Sequence, residues 1–504
     1  MSRYLLGYDL GSSFVKACLL NAESGKVLAS ATAPEQEMNI QAPRPGWAEQ
    51  HPGDWWKNLL SATAELRKTR ANAFKDVKAV GISYQMHGLV VVDAEHRVLR
   101  PAIIWCDSRA VKIGNAAFQA IGEEKCLKVL LNSPGNFTAS KLRWVQENEP
   151  AVFEKIHKIM LPGDYIAMRM TGEAVTTPSG LSEGIMWDYR RGKAAELVLD
   201  HYGIPKEYLT PVVPTFSEQG RIISGAAEEL GLPEGTPVTY RGGDQPNNAL
   251  SLNVLEPGEV AATAGTSGVI YAVGDEPCYD RLSRFNTFVH VNHEAEKSRY
   301  GNLLCLNGAA ILYRWLRQNC ASRGDEGLSY RRMDELAEKV PVGSEGLSIL
   351  PYGNGAERML ANRNPGASFH GLDFSRHNRA HLIRAAQEGI VFALKYGLDI
   401  MGQAGIPVET VRAGAANMFK SRVFADCFAA VTNACVELYD TDGSQGAARG
   451  AGIGAGIFSF GDAFRGLENI AVVEPAAEGL SAYREAYAIW IDRQKRSIGE
   501  RLEA

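Results

Sequence analysis

The chain has 504 residues, of which 45% are hydrophobic and 22% are charged, and its formal net charge is −5 at pH 7. This charge argues against nucleic acid or an anionic membrane as the main partner, and neither is predicted. No apolar run reaches the length of a membrane-spanning helix, and Asp9 precedes any secretory segment, so we expect a cytoplasmic protein. Because one hydrophobic core cannot serve a chain this long, at least two domains are predicted.

Several kinds of site are not expected. The eight cysteines form no CxxC pair and lie mostly in apolar runs, which is typical of buried, reduced thiols. The histidines lack partners at the spacing of a transition-metal site. Neither the GxxxxGK[ST] phosphate loop nor the GxGxxG dinucleotide motif occurs, so P-loop and Rossmann nucleotide sites lose their usual support.

In chain order, the first predicted elements are three strands joined by turns, at Tyr4 to Tyr8, Phe14 to Leu20 and Val27 to Ala31. The first turn begins a segment, Gly11-Ser12-Ser13-Phe14-Val15, that is similar to Gly265-Thr266-Ser267-Gly268-Val269. The two segments lie half a chain length apart. Together with the length, this repeat predicts two similar halves.

Helices and strands alternate through the rest of the chain. Helices are predicted at Pro52 to Arg70, Ser140 to Glu147, Ala226 to Leu230, Leu306 to Asn319, His377 to Gly402, Ser421 to Ala434 and Ala447 to Phe458. Strands are predicted at Ala79 to Ile82, Val90 to Asp93, Val238 to Tyr240 and Thr410 to Ala413. This alternation predicts an α/β fold. The Gly-rich and Pro-rich stretch 235–258 predicts domains at 1–245 and 246–490, with a ligand site in the cleft between them.

The two repeated turns are candidate phosphate sites. In Asp9-Leu10-Gly11-Ser12-Ser13, the glycine lets backbone N–H groups approach phosphate oxygens and the serines add hydroxyl donors. A plain Ser-rich hairpin turn without a ligand is the alternative. The second copy, Gly265-Thr266-Ser267, offers the same donors, and a pair of such turns favours a polyphosphate ligand.

Asp244 follows a predicted strand, Val238 to Tyr240, and begins a predicted helix. A carboxylate in that position can accept an alcohol proton during phosphoryl transfer. The alternative is a structural helix cap, which Asp and the following Pro246 would both suit. In either case the helix N-terminus is expected to lower the pKa of Asp244.

Two further segments at strand ends suit a polyhydroxylated ligand. Met86-His87 follows the predicted strand Ala79 to Ile82, and Trp105 and Asp107 follow an apolar run. Each offers hydrogen-bonding groups beside an apolar or aromatic surface. Taken singly, such residues are more often packed core or surface residues, so their value lies in the combination.

These motifs resemble the FGGY carbohydrate kinases, and most closely the xylulokinases of that family. The likeness covers Tyr4 to about Gly456. Its other motifs are Gly46-Trp47-Ala48-Glu49-Gln50-His51-Pro52, Lys141-Leu142-Arg143-Trp144, Leu161-Pro162-Gly163-Asp164-Tyr165, Thr171-Gly172-Glu173, Phe369-His370-Gly371-Leu372 and Gly446-Ala447-Ala448.

The resemblance implies an actin-like, duplicated ribonuclease-H-like fold that closes on ATP, Mg²⁺ and a sugar. By motif position, Asp244 matches the catalytic base and Asp9 the carboxylate that holds Mg²⁺. The implied sugar contacts are Met86, His87, Trp105, Asp107, Asp244 and Gln245. The implied nucleotide contacts are Gly11, Ser12, Ser13, Lys16, Gly265, Thr266, Ser267, Gly308, Gly414, Ala415 and Asn417. The resemblance also implies a homodimer.

Three positions depart from the family pattern. The adenosine loop is Ala413-Gly414-Ala415-Ala416-Asn417 in place of a glycine run, Gln245-Pro246 replaces the usual Asn-Ala, and Thr177 replaces a common Asp. Phosphorylation of a ketopentose, with D-xylulose as the leading case, is the predicted activity. The alternatives are a related kinase for ribulose, fuculose, gluconate or glycerol, a sugar sensor without turnover, and an ATP-driven switch.

Overall fold

A computed structural model describes residues 3–320, 328–476 and 479–500. Its strands, in chain order, are β1 (Tyr4–Leu10), β2 (Val15–Asn21), β3 (Val27–Ala33), β4 (Glu49–Gln50), β5 (Val77–Tyr84), β6 (Val90–Val92), β7 (Ala102–Ile103), β8 (Lys158–Met160), β9 (Trp187–Asp188), β10 (Lys193–Ala194), β11 (Val238–Gly243), β12 (Glu259–Ala264), β13 (Gly268–Gly274), β14 (Asn286–Val289), β15 (Tyr300–Leu306), β16 (Ser348–Tyr352), β17 (Gly366–His370), β18 (Thr410–Gly414), β19 (Cys435–Tyr439) and β20 (Asn469–Val473).

The α-helices are α1 (Pro52–Phe74), α2 (Val111–Ile121), α3 (Glu123–Leu130), α4 (Thr138–Asn148), α5 (Pro150–Phe153), α6 (Pro162–Thr171), α7 (Pro178–Glu183), α8 (Glu196–Tyr202), α9 (Ser224–Leu230), α10 (Asp244–Ser251), α11 (Ala310–Asn319), α12 (Tyr330–Ala337), α13 (Arg379–Gln403), α14 (Arg422–Thr432), α15 (Gly443–Gly454) and α16 (Leu480–Glu500). Short 3₁₀ helices lie at Lys206–Tyr208, Ser344–Gly346, Arg358–Leu360 and Asn417–Lys420. Within the described residues, no helix combines the length and apolarity that crossing a membrane requires.

The chain divides into two compact units. The first comprises Met1–Leu255, Phe288–Tyr300 and Thr441–Leu467, and the second comprises Glu256–Thr287, Gly301–Asp440 and Glu468–Ala504. Each unit therefore takes segments from distant parts of the chain. The domain ranges 1–245 and 246–490 stay a prediction.

Each unit contains a sheet with the same arrangement around its repeated turn. In the first unit, the order is β11-β5-β1-β2-β3, in which β11, β5 and β1 run parallel and β2 runs antiparallel to β1. In the sheet that lies mainly in the second unit, the order is β14-β15-β13-β12-β18-β19-β20, in which β12, β18 and β19 run parallel and β13 runs antiparallel to β12. The two Gly-[Ser/Thr]-Ser turns connect β1 to β2 and β12 to β13. The repeat in the sequence thus corresponds to a repeat in the structure.

The sheet of the first unit is covered on both faces. Leu6 and Tyr8 of β1 belong to one cluster with Trp55 of α1, whereas Leu5 belongs to another with Ala448 of α15. This split follows from the alternation of side chains along a strand. The first unit therefore places α1 and α15 on opposite faces of β1.

Helix α15 approaches the sheet so closely that the contact is made by backbone atoms. A Cβ atom on Gly7 would lie 2.0 Å from the carbonyl oxygen of Ser444, and one on Gly81 would lie 2.0 Å from that of Ala447. Both distances are far below van der Waals contact. Glycine is therefore required at both positions.

The predicted helices and strands all occur, and most helices begin within two residues of the predicted start, but two begin four residues away from it. Leu306 ends β15, and helix α11 begins only at Ala310, because a turn at Asn307-Gly308 separates them. Helix α15 begins at Gly443, before the predicted Ala447, because the Asp442 carboxylate accepts the backbone N–H groups of Ser444 and Gln445. Because glycine is a poor helix former, the glycine content of the first turn did not predict a helix start there.

The close approach of α15 predicts that Gly81→Ala destabilises the protein. Since the added methyl group meets backbone atoms that cannot rotate away, we expect the free energy of unfolding to fall by ~1–3 kcal/mol in chemical denaturation. Gly225→Ala in α9 is the matched control, because its Cβ would meet nothing within 4 Å. That control is expected to raise stability by ~0.5–1 kcal/mol. Equal stability of the two variants would contradict the packing described here.

Candidate active site

Three parallel strands of the first unit end at the same edge of the sheet, and each end carries a predicted site residue. Asp9 is near the end of β1, Met86 and His87 follow β5, and Asp244 follows β11. Because parallel strands present their carboxyl ends at one edge, residues far apart in sequence come together there. Asp9, Met86, His87 and Asp244 are thus brought together by sheet topology.

Asp9 lies in an acidic and only partly exposed environment. Its Oδ1 accepts a hydrogen bond from the Ser83 hydroxyl at 2.8 Å. A Cβ on Gly443 would lie 2.5 Å from Asp9 Oδ2, so the carboxylate rests against the first residue of α15. Burial raises the pKa of Asp9 and the charge of Asp442 adds to this, whereas Lys16, which pairs with Asp9 across β1 and β2, lowers it. The charge of Lys16 therefore offsets only part of the cost of burying this carboxylate near another acid.

The turn after Asp9 keeps its backbone compact. The N–H of Gly11 donates to the carbonyl oxygen of Phe14 at 2.9 Å, and the Gln50 amide donates to the carbonyl oxygen of Ser12 at 2.7 Å. The Ser12 hydroxyl accepts from the Trp105 indole at 3.3 Å. Trp105 itself is 51% exposed, an unusual exposure for this residue type.

Asp244 is the first residue of α10, and the residue before it, Gly243, occupies the N-cap position. The cap alternative is therefore wrong. Burial, followed by the nearby charge of Asp9, raises the pKa of Asp244 to about 7, although Gln245 acts to lower it. The expectation of a lowered pKa is also wrong, because burial and a like charge outweigh the helix N-terminus here.

Met86 and His87 are held beside Asp244 by close packing. A Cβ on Gly243 would lie 2.5 Å from Met86 Cγ, so the two strand ends touch. His87 has a left-handed backbone, with φ of 62°, and its ring packs edge-on against Phe137 with centroids 4.8 Å apart. The carbonyl oxygen of His87 accepts from the buried ammonium of Lys141 at 2.7 Å. This pair of residues is therefore rigidly placed.

The structure explains Asp107 differently from the sequence. The side chain is fully buried, its Oδ2 accepts the backbone N–H of Ala48 at 2.6 Å, and both oxygens accept from Arg109. Arg109 in turn lies over the ring of Trp47, at 3.9 Å from its centroid. With both oxygens engaged, Asp107 fixes the segment that carries Trp105, and a direct sugar contact gains no support from this geometry.

Sequence reasoning missed three residues of the first unit, of which Lys141 and Glu183 are buried and Asp442 is partly buried. Lys141 supports His87, as described, and burial lowers its pKa to about 7. Glu183 ends α7 beside Gly243, and Asp442 lies at the start of α15 near Asp9. Lys141 begins the motif Lys141-Leu142-Arg143-Trp144, which could have pointed to it. Glu183 and Asp442 lie in short segments without a recognisable pattern.

The second unit contains a cavity of about 690 Å³ beside its repeated turn. Gly265, Thr266 and Asn417, all predicted nucleotide contacts, line it. Its other lining residues are Ala310, Ile311, Tyr313, Arg314, Tyr330, Arg331, Asp334, Glu335, Glu338, Met418, Lys420, Ser421 and Arg422. A cavity of this size, with four basic residues against three acidic ones and with two tyrosines, suits a nucleotide.

The other predicted nucleotide contacts of the second unit lie on adjoining turns and are not in the cavity wall. Ser267 completes the repeated turn, Gly414 ends β18, and the Ala415 N–H donates to the carbonyl oxygen of Tyr439 at 2.8 Å. Gly308 is packed so that a Cβ would lie 1.7 Å from the carbonyl oxygen of Pro351. Glu357 fixes the turn that contains Gly308, because its carboxylate accepts a hydrogen bond from the Asn307 N–H at 3.1 Å. Burial raises the pKa of Glu357 to about 7.

Comparison with known proteins places these features in a family. The N-terminal domain model of the FGGY family of carbohydrate kinases matches residues 4–251, and the C-terminal domain model matches residues 260–457. A xylulose kinase of Bacillus subtilis (strain 168) is 30% identical over 97% of this chain and 96% of its own length. A xylulose kinase of Escherichia coli (strain K12) is 31% identical over 88% of both chains.

Solved structures agree with the fold. The xylulose kinase from Rhodospirillum rubrum is 26% identical with a TM-score of 0.86, over 97% of this chain and 98% of its own. The gluconate kinase from Lactobacillus acidophilus, at 22% identity and a TM-score of 0.88, covers 99% of both chains and supports the fold alone. The predicted two-domain, actin-like α/β fold class is confirmed, as is the resemblance seen in the motifs.

Proposed function

We propose that this chain, which belongs to the FGGY family of carbohydrate kinases, transfers the γ-phosphoryl group of ATP to the terminal hydroxyl of D-xylulose. The products would be D-xylulose 5-phosphate and ADP. Support comes from the two relatives named as xylulose kinases, which match most of the chain. The observation that carries the proposal is Asp244, a partly buried carboxylate at a strand end with a pKa near neutrality.

Asp244 would act as the general base. As the sugar oxygen bonds to the γ-phosphorus, the bond between that phosphorus and the β-γ bridging oxygen breaks, and Asp244 takes the proton of the sugar hydroxyl. A pKa of about 7 suits this role, because a base whose pKa lies near the working pH is ionised yet still accepts a proton readily. Asp244 and the adjacent Gln245 would also orient that hydroxyl.

Met86 and His87 would bind the body of the sugar, with Trp105 covering it. The thioether and the exposed indole offer apolar surface to the carbon skeleton, and the imidazole offers hydrogen bonds. His87 is fixed from behind by Lys141 and Phe137, so little freedom is lost when a sugar binds. Asp107 would act through the Trp105 segment, as a positioning residue.

The two Gly-[Ser/Thr]-Ser turns would bind the phosphates of ATP. Gly11, Ser12 and Ser13 offer donors in the first unit, with Lys16 supplying positive charge. Gly265, Thr266 and Ser267 offer donors in the second unit, where the cavity lined by Asn417 would hold the nucleoside. Gly308, Gly414 and Ala415 would shape the neighbouring loops.

The acidic residues fit Mg²⁺ as the cofactor. Within the described residues, no group of three or more His, Cys, Asp or Glu side chains could hold a metal ion by itself. Mg²⁺ needs no such cage, since it is commonly held by one or two carboxylates together with substrate phosphates. Asp9, with a raised pKa and like-charged neighbours, would hold it, and the ion would neutralise charge on the phosphates.

The cytoplasmic location stays a prediction. Homodimerisation and the lack of a nucleic-acid partner stay predictions.

The substrate proposal predicts that D-xylulose stimulates ADP formation more than ribulose, fuculose, gluconate or glycerol does. The measurement is a coupled ADP assay over this panel at constant ATP. Stimulation by none of the ketopentoses would rule out the proposed activity. ATP binding without turnover in the presence of sugar would favour the sensor alternative.

Asp244→Asn is expected to lower kcat by about 10²–10⁴-fold, because the amide cannot accept the hydroxyl proton. Sugar affinity, measured by calorimetry, should change little, since the amide keeps its size and its hydrogen bonding. Asp54→Asn, at an exposed position in the first turn of α1, is the control and should retain full turnover. Undiminished turnover of Asp244→Asn would refute the assignment of the base.

The electrostatics of Asp244 predict a pH dependence. Its carboxyl is protonated below a pKa of about 7 and then cannot act as a base, so kcat/KM for the sugar should fall as the pH drops through about 7. A kcat/KM that stays level as the pH drops through about 7 would contradict the assignment of Asp244 as the base.

A further inference from the structure

Glu183 is a buried carboxyl that the proposed reaction does not use. It is the last residue of α7 and is 1% exposed. Its Oε2 lies against the backbone of the strand that ends at the base, because a Cβ on Gly243 would be 2.4 Å away from it. The carbonyl oxygen of Glu183 pairs with His87 Nδ1 at 2.9 Å. One residue thus contacts both Gly243, which precedes the base, and His87 of the sugar site.

One oxygen of this carboxyl has no partner. Within the described residues, Oε1 of Glu183 is buried and makes no hydrogen bond. An ionised carboxylate spreads its negative charge over both oxygens, and burying one of them without a donor is very unfavourable. A protonated carboxyl carries no charge, so its carbonyl oxygen can stay unpaired at a smaller cost, provided that the O–H on the other oxygen has an acceptor, which the Tyr84 hydroxyl supplies. The geometry therefore favours the neutral acid.

The charges around Glu183 agree with this protonation state. Burial raises its pKa well above the usual value, and Asp244 and Asp164 raise it further, whereas the His87 N–H and the Tyr84 hydroxyl lower it. Of these groups, none is a cation. The negative charge of Glu183 acts to raise the pKa of Lys141. The Lys141 ammonium, however, donates its hydrogen bonds to the carbonyl oxygens of His87 and Ile104. Asp164 is paired with Arg241.

We propose that Glu183 is a positioning residue of the sugar site, whose carboxyl stays protonated beside ionised Asp244 and holds Gly243 and His87 in place around it. This rests on the proposed function, since it assigns Asp244 as the base. Two adjacent carboxyls with different proton affinities divide the roles: one accepts the proton of the substrate, and the other supplies a fixed polar anchor. An ionised Glu183 would instead add a second negative charge next to the base.

The protonation state can be read without turnover. Infrared difference spectra of the full-length enzyme, unaltered minus Glu183→Gln, should show the C=O stretching band of a protonated carboxyl at neutral pH. Carboxylate bands in its place would overturn the proposal. This measurement stands even if no ketopentose is phosphorylated, so its outcome is separate from that of the proposed function.

Two substitutions of Glu183, whose new side chains have similar volumes but different hydrogen-bonding capacity, test the positioning role. Glu183→Met removes the polar anchor and should lower kcat/KM for the sugar by about tenfold or more, as expected when a buried hydrogen-bonded group is lost, while KM for ATP changes less than about twofold. Glu183→Gln resembles the neutral acid in shape and hydrogen bonding and should lower kcat/KM by only about threefold. A Gln variant as impaired as the Met variant would overturn the proposal.

A neighbouring residue on the same helix provides the control. Ser182 accepts the backbone N–H of Val289 at 2.9 Å through its hydroxyl, and it has no predicted contact with sugar. Ser182→Ala should lower the melting temperature without changing kcat/KM. If it lowers kcat/KM as much as Glu183→Met does, the effect belongs to the stability of α7 and the positioning role is wrong.

Discussion

Helix α15 contacts the sheet of the first unit backbone against backbone, and much of the candidate site depends on this contact. Gly7 and Gly81 lack side chains where the carbonyl oxygens of Ser444 and Ala447 approach. The same approach brings Gly443 against the carboxylate of Asp9. A shift of this helix by the width of one methyl group would therefore displace both the core and the predicted metal ligand. The backbone of α15 therefore determines both the packing of the sheet and the position of the Asp9 carboxylate.

The second constraint is a concentration of negative charge at one edge of that sheet. Asp9 lies near both Asp244 and Asp442, and Asp244 lies near Glu183. Burial raises the pKa values of Asp9, Asp244 and Glu183, and these like charges add to the effect. Such a cluster is stable only if protons or cations reduce its charge. A protonated Glu183 and a cation at Asp9 would leave Asp244 as the one ionised carboxylate that is free to accept a proton.

The sequence was informative where a local pattern determines the outcome. The strand before Asp244, the helix after it and the two repeated turns were all predicted from spacing and residue type. The proton affinity of Asp244 could not be predicted in the same way, because it depends first on burial and then on Asp9, which only the parallel pairing of β1, β5 and β11 brings near. The hydrogen bonding of Asp107 could not be predicted for a similar reason, since one of its partners, Ala48, lies far away in sequence. Glu183 belongs to no sequence motif, and only its contacts in the folded chain indicate its role.

The discontinuous composition of the first unit has a consequence for how the protein folds. The helix that covers one face of β1 and β5 comes from the segment Thr441–Leu467, which the ribosome makes only after most of the second unit. Until then, an apolar sheet face that includes Leu5 and Cys18 has no cover in the first unit. Most residues of the second unit are synthesised before this segment. The N-terminal half is thus made first but completed late, and its exposed sheet face during synthesis is the kind of surface that chaperones protect.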